Sequence, residues 1–132
     1  MNRGTILDRA FADIGFASYT FDLTPDEIAQ AFGRLDTMMA QAPWNGLVGY
    51  VPSGDEPSRE TDIGTDADFD EAIISNLALK LAPTYGKDPL GNVRHDARMG
   101  KDAVHAATLV IPTSIRSAVR VIGGGDRWMF GW

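Results

Sequence analysis

The chain has 132 residues, of which 44% are hydrophobic and 23% charged, with no cysteine and a formal net charge of −6. This length and balance fit a single globular domain with a core that holds without covalent staples. The lack of cysteine excludes disulfides, thiolate zinc sites and cysteine nucleophiles, and favours an intracellular origin. No signal-peptide run opens the chain and no stretch nears the ~20 apolar residues of a spanning helix, so a soluble protein made in the cytoplasm is expected. The charge is uneven: from residue 112 onward Arg116, Arg120 and Arg127 outweigh Asp126, leaving the body before it strongly acidic. An acidic body is a poor match for tight nucleic-acid binding.

The first helix is expected over about residues 5–16, where Ile6, Leu7, Ala10, Phe11 and Ile14 recur at helical spacing and Gly15 marks an end. The second has the clearest start in the chain. Thr24-Pro-Asp-Glu27 is a capping box with proline at the first helical position and acids in the first turn. Ile28, Ala31, Phe32, Leu35, Met38 and Met39 then share one face, to about residue 41. Residues 42–65 are rich in Pro, Gly, Asp and Ser and form a long loop, with strand character over residues 47–51. A third helix opens near residue 65 or 66 and stacks Phe69, Ile73, Ile74, Leu77 and Leu81, ending at Pro83 and Gly86. A fourth begins near Pro89 and aligns Val93, Ala97, Gly100, Val104, Ala107 and Ile111, small residues that suit close approach to a neighbour. Beyond Pro112, Ile115, Val119 and Val121 alternate with Arg116 and Arg120 as extended chain, and a Gly123-Gly-Gly125 hinge leads to Trp128, Phe130 and Trp132. An aromatic tail either folds back on its own core or anchors in a partner, and the second reading is preferred.

Signatures of chemistry are sparse. His95 and His105 are too far apart on one helix to share a metal. Asp66, Asp68 and Asp70 imitate the opening of a calcium loop, but Glu71 stands where its glycine belongs and Leu77 where its bidentate glutamate belongs. The glycine triplet lacks the Lys-Ser/Thr of a phosphate loop. Glu27 and Glu71 are the carboxylates that glycoside cleavage would need, yet both sit at helix starts where a dipole role accounts for them. Met38, Met39 and Trp44 read as core beside the end of the second helix before they read as a recognition surface. No cofactor, metal or catalytic residue is assigned.

Several stretches carry a family likeness. Ile6-Leu-Asp-Arg-Ala-Phe-Ala-Asp-Ile-Gly15, Leu35-Asp-Thr-Met-Met-Ala40, Asn45-Gly-Leu-Val-Gly-Tyr50 and Ile73-Ile-Ser-Asn-Leu-Ala-Leu-Lys-Leu-Ala-Pro-Thr-Tyr-Gly86 resemble the tail accessory factors of short-tailed phages. These are also called packaged-DNA stabilisation or head-to-tail adaptor proteins. The likeness covers about residues 5–111, as a pattern of apolar and turn residues. It implies an adaptor that forms a ring of about twelve copies beneath the portal protein. Such a ring extends the DNA channel without sequence-specific binding and offers a platform to the next tail or neck protein. The family's C-terminal segments clasp the portal. They are longer and more polar than the segment here.

Together these readings give an all-α bundle of about four helices, with a 1–111 helical adaptor domain and a 112–132 docking arm. The expected portal contacts are Ile115, Arg116, Val119, Arg120, Trp128, Phe130 and Trp132. Trp44 and Tyr50 are weaker candidates for contacts between subunits or with the tail. The expected place is the virion neck, with no membrane partner. The alternatives are a cell-wall hydrolase using helix-terminal carboxylates, and a small helical protein-binding module.

Overall fold

Residues 70–81 form the most apolar helix among the described residues, and the other helices described pack around it. The computed structural model describes residues 1–16, 24–54 and 58–109. Among them are α1 (Arg3–Asp13), α2 (Pro25–Ala40), α3 (Asp70–Leu81) and α4 (Val93–Thr108), with 3₁₀ turns at Trp44–Gly46, Ala67–Phe69 and Ala82–Tyr85. The all-α expectation holds. The described residues contain no strand, only an isolated antiparallel bridge between Asn2 and Asp62.

Eight of the twelve α3 residues are buried, including Ile73, Ile74, Leu77 and Leu81. They meet Ile6, Leu7, Phe11 and Ile14 from the α1 side and Phe32, Leu35, Met38 and Met39 from α2 in one core cluster. Each such side chain contributes about 1.5–3 kcal/mol by leaving water. Trp44 joins the same cluster at 3% exposure, so core packing beside the α2 terminus is what this indole does.

The helix ends refine the expected boundaries. α1 starts two residues early because the Asn2 side chain accepts from the Thr5 amide at 2.8 Å. It stops at Asp13, short of residue 16. Gly15 takes φ +98°, and the Gly15 and Phe16 amides fold back onto the Ala12 and Phe11 carbonyls, a Schellman closure. α2 starts as read, with the Thr24 hydroxyl accepting from the Glu27 amide at 3.3 Å. The third helix begins later than residues 65–66, because a 3₁₀ turn occupies Ala67–Phe69 before the α-ladder opens at Asp70. The fourth begins at Val93 and not at Pro89, since Gly91 sits at φ +43° just before it.

The small-residue stripe of α4 does bring two helices close. A Cβ placed on Gly100 falls 2.6 Å from the Ala72 Cβ, and Asn76 of α3 donates to the Ala97 carbonyl at 2.9 Å. Ala107 departs from that stripe. It is exposed, and Thr108 takes the inner position with its hydroxyl donating to the Val104 carbonyl at 2.9 Å. Ile111, which was expected to extend the stripe, lies outside the described residues.

The 42–65 loop lies against the start of α1. Arg3 and Gly4 donate their amides to the Thr61 and Arg59 carbonyls at 2.9 and 2.8 Å, and Val51 donates to Ile63 at 2.8 Å. The strand character read over residues 47–51 does not become a strand. Gly49 at φ +93° turns the chain, and it passes so close to Gly64 that a Cβ there falls 2.6 Å from the Gly64 carbonyl oxygen.

Candidate functional site

The most developed polar arrangement among the described residues forms where α1, α2 and the loop meet. Arg3, in the first turn of α1, is completely buried, which for arginine requires a charged partner. Its Nη1 donates to Asp36 Oδ1 of α2 at 3.4 Å and to the Tyr50 hydroxyl at 3.3 Å, and the guanidinium lies 5.3 Å from the Tyr50 ring centre. Asp36 also accepts from the Tyr50 hydroxyl, the Ser53 hydroxyl and the Ser53 amide, the last at 3.2 Å to Oδ2. Burial pushes the Asp36 carboxyl up, but the bonds from Ser53 and Tyr50 and the Arg3 charge outweigh it and hold it below the ordinary carboxylate value. Burial, and then the bond to Asp36, push the Tyr50 phenol up to about 12.

The Asp36 carboxylate is fully engaged and Tyr50 stays protonated, while Arg3 uses only Nη1: its buried Nε and Nη2 have no hydrogen-bond partner among the described residues. Chemically the network is a clamp that fixes the loop to two helices, not a poised acid or base. Arg59 adds a second fastening on the same loop, its Nη2 reaching both Asp8 carboxylate oxygens at 2.7 Å.

The second feature is a groove of about 580 Å³ between the first turns of α3 and the middle of α4. Gly100, Ala72, Ser75 and Phe69 form its floor, Met99 and Ala103 flank it, and Asp68, Glu71 and Asp96 edge it. Nearby, burial raises the Asp13 carboxyl, and the charges of Glu71 and Asp96 raise it further. This is a concentrated negative edge around an apolar floor.

Of the residues singled out in the sequence, Tyr50 is half-buried within the clamp and Trp44 is core. The seven C-terminal residues expected to contact the portal lie outside the described residues. His95 and His105 are exposed on α4. Glu27 and Glu71 are not brought together. Glu71 opens α3 and pairs with Arg9 at 3.3 Å, whereas Glu27 acts on the phenol of Tyr85 just past the other end of that helix. Among the described residues no group of three or more His, Cys, Asp or Glu is placed to hold a metal, and no helix is long and apolar enough to cross a membrane.

Arg3, Asp36 and Ser53 escaped the sequence reading. The one available signal was Asp36 itself, a carboxylate set between the buried Leu35 and Met38 on the edge of an apolar face.

Comparison with known proteins places this architecture. A family model described as P22 tail accessory factor matches residues 1–130, a span that takes in the C-terminal segment. A protein named "Peptidoglycan hydrolase gp27", from Acyrthosiphon pisum secondary endosymbiont phage 1, is 24% identical over 133 residues, covering 97% of this chain and 83% of that protein.

Proposed function

Because this chain belongs to the P22 tail accessory factor family, with the phage virion-associated role that membership carries, we propose that it is a head-completion adaptor. In this reading copies of the chain form a ring under the portal protein. The ring extends the DNA channel and presents a platform to the next tail component. The observation that carries the reading is the extent of the family match, residues 1–130, over a helical body and the segment beyond it. The body suits a structural part: its polar chemistry is spent on fastening a loop, and its surface is acidic, as a channel wall that does not grip DNA requires.

The docking arm is residues 112–132, with Ile115, Arg116, Val119, Arg120, Trp128, Phe130 and Trp132 as its portal contacts. Its aromatic and basic character suits anchoring in a partner's pockets. Negative-stain microscopy of the chain co-expressed with the portal of its own genome tests this. A ring stacked beneath the portal, lost when residues after Ile111 are removed from an otherwise folded chain, is the expected result. A folded chain that ignores the portal would overturn the reading.

The name of the phage relative supports a second reading, cell-wall cleavage. No reaction is assigned here, because the two carboxylates it would use stand at opposite ends of α3.

A further inference from the structure

α4 carries two unlike flanks. At about 100° per residue, Arg94, Arg98, Lys101 and His105 fall within about 60° of one another around the helix, and all four are exposed. About 180° away, Asp96, Met99 and Ala103 face the acidic-edged groove beside α3. The buried stripe of Val93, Ala97 and Val104 lies between the two flanks. The helix is therefore basic along one side and acidic with an apolar floor along the other.

The basic flank stands out on so acidic a chain. Three of the nine lysines and arginines among the described residues sit on it, and none of the three is ion-paired there. Arg3, Arg9 and Arg59 each have a carboxylate partner. The groove has the converse imbalance. Asp68, Glu71 and Asp96 edge it, and the single cation among the described residues that reaches any of them is the exposed Arg9, on Glu71. Met99, 55% exposed, and the Gly100–Ala72 contact leave a shallow apolar trough between these charges.

We propose that neighbouring copies join head to tail through α4, with the Arg94–Arg98–Lys101 flank of one copy seated against the Glu71–Asp96 groove of the next. This rests on the ring reading given above. Two different and complementary patches make a heterologous contact, the kind that generates rings or filaments. Patches on opposite sides of one helix add little rotation per step, as a ring of many subunits needs. Opposite charges select this register and oppose a symmetric pairing of groove with groove or stripe with stripe.

The absence of native cysteine makes the test direct. Full-length chain co-expressed with its portal is prepared as Arg98→Cys, as Ala103→Cys and as the double variant, then treated with a short thiol-specific cross-linker. The two positions are five residues apart on opposite flanks of one helix, and any closure within a single chain adds no higher-mass product, so a ladder reports links between copies only. The double variant is expected to give a ladder up to the ring size, each single variant no product, and a mixture of the singles dimers only. A single variant that links to itself would replace this contact with a two-fold one. Rings visible by microscopy without any ladder would place the contact on another face and leave the adaptor reading intact, whereas no rings at all would remove both. Separately, Arg98→Glu with Lys101→Glu should cut the assembled fraction by about a hundredfold or more. Mixing that variant with Glu71→Lys/Asp96→Lys should restore it. If the reversed stripe assembles normally and loses only packaged DNA, the stripe serves nucleic acid and the proposal fails.

Discussion

Arg3 and Asp36 are 33 residues apart in sequence and 3.4 Å apart in space, and their pairing is the main polar link between α1 and α2. Direct packing between these two helices is slight, because each is pressed mainly against α3 or the loop. The ion pair therefore sets their relation, with Tyr50 and Ser53 closing the carboxylate from the loop side.

Removing one member should cost more than removing both. Asp36→Ala leaves a wholly buried guanidinium unpaired and is expected to lower stability by about 3–5 kcal/mol. Arg3→Met together with Asp36→Leu should lose less, since no buried charge is left unpaired, and the remaining loss reflects Tyr50 and Ser53 donors deprived of their acceptor. Urea denaturation of the unaltered chain and the two variants measures the difference, and equal losses would contradict a buried charge pair.

The same network predicts two pH limbs. The folded chain releases the Asp36 proton more readily than the unfolded chain does, so the stability it contributes is complete above the ordinary value of 3.8. It is lost as pH falls through the lower folded value. Tyr50 behaves in the opposite sense: the unfolded phenol ionises near 10.0 and the folded one near 12, so its contribution is full below 10.0 and drains as pH rises toward 12. Unfolding midpoints followed across pH should show both limbs. Asp36→Asn should shrink the acid limb and Tyr50→Phe the alkaline one.

Gly100 should not tolerate a side chain. A methyl group there meets the Ala72 Cβ at 2.6 Å, so Gly100→Ala must push α4 from α3, at a cost of about 1–3 kcal/mol. Ala72→Gly in the same chain should recover part of that loss. A thermal midpoint unchanged by Gly100→Ala would mean the helices give way easily.

Clearing of purified cell wall separates the structural reading from the hydrolytic one. Glu27→Gln and Glu71→Gln are expected to behave as the unaltered chain does, because the two carboxylates do not share a site. A loss of clearing in either variant would favour an enzyme.

Periodic features were legible in the sequence and non-periodic ones were not. The Thr24 cap, the α3 stripe and the glycine–alanine approach of α4 each follow from local rules that repeat along a helix. Arg3 reads as a solvated charge near a chain end. Only the folded loop reveals that Tyr50 meets its guanidinium, that the Thr61 carbonyl takes its amide and that Ser53 completes the bonds of its partner Asp36, and nothing periodic ties those positions together. Residues 47–51 were misread for a related reason: apolar, β-branched composition suggested pairing, but Gly49 turns the segment and the Tyr50 hydroxyl fixes it to Asp36.

The fastening of the loop to α1 also sets an order of events on the ribosome. Synthesis delivers the first helix early, yet its opening amides wait for the carbonyls of Arg59 and Thr61, and its buried cation waits for Asp36 and Tyr50. Vectorial folding, which usually favours the N-terminal part of a chain, is here held back at its first turn. The helix that emerges first is completed only after more than a third of the polypeptide has followed it.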